Sequence, residues 1–294
     1  MLLVSLLWGG NFAASKFALS QIAPLPFSAL RFTVASGLLA AAVRGMRASR
    51  PLPRRTLLWL MVLGLIGNTV YQIAFMTGLR VTTATNSAMI VAFLPVIVAL
   101  LGALLGIERA TPAMWLGVLL GTAGVALVVG AKGVSWSAAS LGGDLLVLFA
   151  TLCWAVYTLG VKHFGTGVDP MQITSITVAA GAAGLLAAGF PEMLRTDWSA
   201  ITPKAWGAMG YATIFALVIA APLFNRAVQG IGSGRTALYN CLTPLVAMAV
   251  AWVTLRETPT LAQYAGVALV LSGVWLSIYA SKTAKDCGEV AGEM

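Results

Sequence analysis

The sequence predicts an all-α integral membrane fold: ten transmembrane helices arranged as two inverted five-helix repeats around a central cavity, with both termini cytoplasmic. Three observations lead there. Charged residues are too few to clothe a water-soluble surface, apolar runs of membrane-spanning length follow one another along the chain, and a residue pattern recurs at half the chain length. Hydrophobic residues occupy 59% of the 294 positions and charged residues only 9%, against about a quarter charged in a soluble domain. One or two soluble domains of this length would lack the polar side chains to face water.

A hydrocarbon core about 30 Å thick takes about 20 helical residues to cross. Runs of that order fall at 2–20, 25–44, 56–79, 82–105, 112–130, 141–163, 170–189, 204–229, 233–255 and 260–281. The first begins with apolar Leu2 to Trp8 and continues to the small residues Ala13 and Ala14, as a signal peptide would. No basic segment precedes it, however, and comparable runs follow, so it counts as the first span. Ala23-Pro24-Leu25-Pro26, Arg50-Pro51-Leu52-Pro53 and Asp169-Pro170 separate neighbouring runs, because proline denies the helix an N–H and fixes its own φ.

Alternation assigns the loop charges to two sides. Arg44, Arg47, Arg50, Arg54, Arg55, Arg109, Lys162, Arg226, Arg235, Lys282 and Lys285 fall on one, and Arg80, Lys132, Arg195, Lys204 and Arg256 on the other. The positive-inside rule makes the richer side cytoplasmic, places both termini there and points to the cell inner (plasma) membrane. The net charge of +9 is thus a topology signal rather than a nucleic-acid footprint. Lys16 and Arg31 fall inside spans toward the predicted outer end. Snorkelling accounts for both, and for Arg31 a hold on a substrate carboxylate is the alternative. Cys153, Cys241 and Cys287 share no metal or redox spacing, and His163 stands beside Lys162 at a span end. No cofactor or metal is expected, and neither is an enzyme, since no nucleophile and base are paired at membrane depth.

The chain repeats itself in order. Trp8, Lys16 and Pro24 recur 146 residues on as Trp154, Lys162 and Pro170, while Pro95, Glu108, Gly117 and Gly124 recur 149 residues on as Pro244, Glu257, Gly266 and Gly273. This divides the chain into a first five-helix repeat (1–131), a linker (132–140), a second repeat (141–282) and a polar cytoplasmic tail (283–294). An odd number of spans per repeat inverts the second against the first, an arrangement that lets a central site open to each side in turn.

The series from Pro95 to Gly124, its copy from Pro244 to Gly273, and the opening Trp8-Gly9-Gly10-Asn11-Phe12 resemble the drug/metabolite transporter superfamily, specifically paired EamA domains, over nearly the whole chain. Within it the sequence most resembles YddG-type exporters of aromatic amino acids. The second half departs at its opening, with Ala155-Val156-Tyr157 in place of Gly9-Gly10-Asn11. The resemblance implies a membrane transporter that exports small amphipathic metabolites, above all aromatic and other neutral amino acids. Its partners are then a small-molecule substrate and the lipid bilayer, with no nucleic acid; the sequence leaves the oligomeric state open and is compatible with a monomer.

Polar side chains are costly in lipid, so those at helical spacing on one face line a cavity or join two helices. Asn68, Tyr71, Gln72 and Phe75 form one such stripe, and Thr236, Tyr239, Asn240 and Thr243 another. Trp154, Tyr157 and Thr158, then Trp8, Asn11, Phe12 and Ser15, and then Thr82, Thr85, Asn86 and Met89 add to them, with Phe224 and Asn225 late in the eighth span. The expected substrate contacts are Trp8, Asn11, Asn68, Tyr71, Gln72, Phe75, Asn86, Trp154, Tyr157, Tyr239 and Asn240. Ring faces with neutral amides suit an aromatic amino acid, and they also suit flat organic cations or a channel-like pore.

Asp and Glu fall in loops, at span ends or in the tail, which argues for export without proton coupling. Pro95 and Pro244, inside the fourth and ninth spans, are candidate hinges. Gly102/Gly106 and Gly117/Gly121 have the spacing of close helix contacts. Gly230-Ile231-Gly232-Ser233-Gly234-Arg235-Thr236 lacks the lysine of a phosphate-binding loop and reads as a hairpin.

Overall fold

The computed structural model describes residues 1–46, 51–82, 87, 90–91, 93–107, 111–130, 141–246, 249 and 260–292. The described residues are helical or lie in short connections. In chain order the helices are α1 (Leu2–Leu19), α2 (Pro24–Gly45), α3 (Arg54–Gly64), a π-helical segment (Leu65–Val70), α4 (Tyr71–Val81), α5 (Leu94–Leu104), α6 (Pro112–Gly130), α7 (Leu141–Phe164) and α8 (Pro170–Arg195). After a 3₁₀ turn (Trp198–Ala200) come α9 (Pro203–Thr213), a second π segment (Ile214–Ala220), α10 (Ala221–Ile231), α11 (Ser233–Tyr239) and α12 (Leu261–Gly292).

Among the described residues five helical stretches are long and apolar enough to cross a bilayer: Pro24–Gly45, Arg54–Gly78, Leu141–Phe164, Pro170–Arg195 and Pro203–Ile231. Leu2–Asn11, Leu94–Leu104, Pro112–Val128 and Leu261–Leu276 are shorter apolar stretches. Leucines such as Leu58, Leu104 and Leu119 face outward at 61%, 73% and 55% exposure, which suits hydrocarbon and not water.

Prolines start the helices. Pro24, Pro170 and Pro203 sit in the first turn of α2, α8 and α9, where the N–H they lack has no intrahelical partner to lose. The Asp169 carboxylate caps α8 by accepting from the Met171 N–H at 2.8 Å, and the Thr202 hydroxyl caps α9. The seventh span is longer than the expected 170–189. It runs through Pro191 to Arg195, and the Trp198 indole N–H closes its end on the Met193 carbonyl at 3.1 Å.

The fourth and ninth spans differ from the unbroken runs expected. α5 begins at Leu94 after a turn at Phe93, which puts Pro95 in its first turn. α11 stops at Tyr239, a turn covers Asn240 and Cys241, and helix resumes over 242–246 with Pro244 in its opening turn. Neither proline kinks a continuous helix. Each follows an interruption, because its ring clashes with the carbonyl four residues back and it has no N–H to give that carbonyl. The expected tail is helical too, since α12 continues to Gly292.

Packing follows the repeat. α6 lies along α12, α2 along α8 and α5 against α11, each pairing one half with its counterpart. The third span packs on α7 and the eighth on α1, each against the opening helix of the other half, but through different parts: α4 leads in the first contact, α9 and the second π segment in the second. Gly117 meets Gly273 and Gly124 meets Gly266 so closely that a β-carbon on Gly117 would lie 2.8 Å from the Gly273 carbonyl oxygen, and one on Gly124 2.6 Å from that of Gly266. Gly121 packs on Leu238, but Gly106 does not serve helix contact: with φ +65° and nothing near it, it ends α5 as a left-handed turn residue. Gly232, at φ 93°, makes the hairpin between α10 and α11.

Candidate functional site

Six aromatic rings from α1, α4, α7 and α10 meet in one cluster. Trp154 is the hub, with ring centroids 6.0 Å from Trp8, 5.3 Å from Tyr71, 5.1 Å from Tyr157 and 5.6 Å from Phe224. Trp8 reaches Phe224 at 5.1 Å, and Tyr71 stacks on Phe75 at 5.7 Å. These are the separations at which aromatic pairs attract through offset or edge contacts. Trp8, Tyr71, Phe75 and Trp154 are half-buried, whereas Tyr157 and Phe224 are buried. The cluster follows the repeat: Trp8 and Trp154 are counterparts, and so are Phe75 and Phe224, which stand 149 residues apart.

The π segments shape this centre. A π turn holds more residues than an α turn and leaves carbonyls free of the ordinary ladder. The carbonyl of Ala216, in the second π segment, accepts the Trp8 indole N–H at 3.1 Å. In the first, Asn68 donates to the Thr177 carbonyl at 2.9 Å and Thr69 to the Gly181 carbonyl at 3.0 Å, fastening it to α8. Of the expected stripe only Asn68 lies in the π segment; Tyr71, Gln72 and Phe75 share the regular turns of α4, where Gln72 points about 100° away from its neighbour Tyr71. Tyr71 faces Trp154 and Phe75 stacks behind it, while Asn68 and Gln72 are buried and join helices, Gln72 donating to the Ser28 hydroxyl of α2 at 3.2 Å.

Beneath the rings lies a polar knot. Tyr157 donates its hydroxyl to the Asn225 amide oxygen at 3.1 Å and lies 3.4 Å from the Thr177 hydroxyl. The Asn225 amide N–H₂ donates to the Thr174 hydroxyl at 2.9 Å. Phe224 and Asn225 were left out of the expected substrate contacts. The signal that finds Phe224 is its register with Phe75, a repeat match that lies within helices and away from any motif.

Other expected residues lie apart from the rings or outside the described set. Asn11 accepts from the Ser15 hydroxyl one turn along α1, at 3.1 Å. Tyr239 packs on the Val125, Leu238 and Val270 cluster between α6 and α12, and its carbonyl accepts from Ser5 at 3.3 Å. Asn240, in the turn that interrupts the ninth span, has its amide oxygen buried without a partner, as is the Thr243 hydroxyl. Asn86 lies outside the described residues, as do the side chains of Phe12 and Lys16. Among the described residues no group of His, Cys, Asp and Glu is arranged to hold a metal. Asp144 is less exposed than a span-end position implies: it is buried in the first turn of α7, where the Thr82 hydroxyl donates to it. Outside the membrane, the Asp197 carboxyl is held below the usual carboxylate range by the Ser199 hydroxyl and N–H.

The family model for the EamA-like transporter family matches residues 1–130 and again residues 141–279. The chain belongs to this family. This EamA-like protein is 30% identical over 280 residues, 94% of each chain, to an uncharacterized transporter of Archaeoglobus fulgidus. It is 27% identical to the uncharacterized transporter YyaM of Bacillus subtilis, over 92% of this chain and 89% of that one. The uncharacterized inner membrane transporter YedA of Escherichia coli is 24% identical over 83% of this chain and 78% of its own. A protein crystal structure shares the fold, with a TM-score of 0.81 at 20% identity over 96% of both chains. This EamA-like protein is thus a multi-pass membrane transporter, with a bilayer for solvent and a small molecule for cargo.

Proposed function

We propose that this transporter exports aromatic and other neutral amino acids across the inner membrane by alternating access, as ten spans in two inverted halves with both termini cytoplasmic. The observation that carries the reading is the pairing of Trp8 with Trp154 at 6.0 Å where the two halves meet. A ring-bearing solute placed there would stack on half-exposed indole and phenol faces. The contact pairing that exchanges one half for the other supports the inverted repeat. The loop between α1 and α2 bonds the loop between α8 and α9, Gln21 accepting from the Thr202 N–H at 3.0 Å, which fits both loops lying on the outer side.

The interrupted fourth and ninth spans lie beside each other, as the discontinuous helices of inverted-repeat carriers do around a midplane site. Export then follows the solute's own gradient. The test is counterflow in proteoliposomes with labelled phenylalanine, tryptophan, threonine, alanine and a quaternary cation. Saturable exchange that favours tryptophan and phenylalanine is the expected result. Equal rates for alanine and tryptophan would refute the aromatic specificity, and non-saturating flux without exchange would indicate a pore.

A further inference from the structure

We infer that Arg31 binds the carboxylate of the transported solute, which makes the cargo aromatic carboxylates and not aromatic amines; this rests on the aromatic reading of the same site. Arg31 lies on α2, three residues beyond Ser28, and is 8% exposed. It does not snorkel. Its guanidinium carbon lies 5.0 Å from the Phe27 ring centroid and 5.3 Å from that of Phe32, and its Nε has no hydrogen-bond partner. A guanidinium keeps its proton under all ordinary conditions. Ring faces offset only part of the cost of taking such a charge out of water, and the rest calls for an anion. Among the described residues no carboxylate forms an ion pair with it, so a solute is the natural source.

Position ties this cation to the rings. Gln72, by donating to Ser28 at 3.2 Å, fastens α4 to α2 one turn before Arg31. Tyr71, the residue before Gln72 on α4, lies 5.3 Å from Trp154. The repeat gives independent support. At the offset of 146 that relates Pro24 to Pro170, Arg31 corresponds to Thr177 and Ser28 to Thr174. Thr177 lies 3.4 Å from the Tyr157 hydroxyl, and Thr174 accepts from Asn225. The two counterparts thus border the same centre, and the first half carries a charge where the second has a neutral hydroxyl. A planar fork of donors meets a carboxylate through two parallel bonds, with the solute's ring left against Tyr71 and Trp154.

The test compares L-tryptophan with its methyl ester in mildly acidic buffer, where the ester keeps the ring and the ammonium and lacks the negative charge. Against labelled tryptophan in wild-type proteoliposomes, the ester should compete at least about ten-fold more weakly than the acid. Arg31→Gln should lose tryptophan exchange by about ten-fold or more while its ester exchange stays within about two-fold, and Arg31→Lys should fall between, because a point charge replaces the fork. Equal competition by acid and ester in the wild-type protein overturns the inference and leaves aromatic transport standing, and it does so whether or not Arg31→Gln folds. An Arg31→Gln protein that melts like wild type and loses acid and ester alike overturns it too. Wild-type protein that carries neither compound refutes the function and this inference together.

Discussion

Gly67 sits in the first π segment directly against Tyr157, and Gly67→Ala is a sharp test of how the centre is built. A β-carbon there would lie 2.6 Å from both Cβ and Cδ2 of Tyr157, about 1 Å inside the ordinary carbon contact distance of 3.5–4.0 Å. Tyr157 has little room to give, since Asn225 and Thr177 hold its hydroxyl and it is 3% exposed. Overpacking of this size costs about 1–3 kcal/mol, and a weakened bond to Asn225 adds about 0.6 kcal/mol on the scale of bonds between membrane helices. Purified Gly67→Ala should melt several degrees below wild type, at about 2 °C or more per kcal/mol. Tyr157→Ala alone removes a buried ring and should cost about 3–5 kcal/mol. The double variant should cost less than the sum by up to about 1 kcal/mol, because the ring's Cδ2 is gone while the β-carbon at position 157, 2.6 Å from the new methyl, remains. Additive losses, or an unchanged melting temperature for Gly67→Ala, would refute the close approach of the π segment to α7.

Trp154→Ala should raise the half-saturation concentration for tryptophan about ten-fold, the worth of one aromatic pair of about 1.4 kcal/mol, and Trp154→Phe should raise it less; unchanged counterflow kinetics in the alanine variant would remove Trp154 from the site. Asn225→Leu should cost only about 1 kcal/mol in thermal unfolding, since Thr177 remains near the Tyr157 hydroxyl and Thr174 still donates to the Pro170 carbonyl at 2.7 Å; a loss above about 3 kcal/mol would show the knot to be worth more than its bonds. Pro95→Ala and Pro244→Ala should slow exchange several-fold while the melting temperature stays nearly constant, because each restores an N–H that lets helix run through the break; unchanged exchange rates would deny the breaks a part in the motion. An imposed pH gradient should drive no uphill accumulation of tryptophan in proteoliposomes, and accumulation against the solute's gradient would refute passive export.

The membrane fold was legible because composition and run length report solvent, and lipid leaves few alternatives to helices. The correspondence of Trp8 and Trp154 was legible too, since they stand in counterpart spans at a fixed offset of 146 residues. What escaped the sequence lies at the backbone. A period of 3.6 residues is blind to the π turn that holds Asn68, and it sets neighbours such as Tyr71 and Gln72 on one broad face, yet Asn68 bonds α8 and Gln72 bonds α2. Pro95 and Pro244 were legible as hinge candidates inside their spans but not as the first-turn residues of resumed helices, because a proline in an apolar run fits either until the preceding turn is seen. Arg31 was the hardest: snorkelling and burial use the same residue at the same depth, and only its packing between Phe27 and Phe32 separates them.

The two π segments begin at Leu65 and Ile214, again 149 residues apart, although one reads Leu-Ile-Gly-Asn-Thr-Val and the other Ile-Phe-Ala-Leu-Val-Ile-Ala. Such different sequences share no local preference that would widen both helices at one place. Packing common to the two halves is the better cause: each segment crosses the counterpart spans at the level of the rings, and the widened turn lets the chain approach without breaking its helix. The partners differ in a way that bears on mechanism. The first segment is tied to α8 by two side-chain bonds, from Asn68 and Thr69. The second takes one bond from Trp8, itself a member of the cluster. A solute that displaces the Trp8 ring therefore acts directly on the backbone of the second half, whereas on the first half it meets a segment already fastened. The half carrying α9 and α10 is then the one to respond first to loading. Hydrogen exchange should register this as a change at 214–220 on adding tryptophan, with 65–70 left nearly constant; equal changes in both segments would show the halves to respond alike.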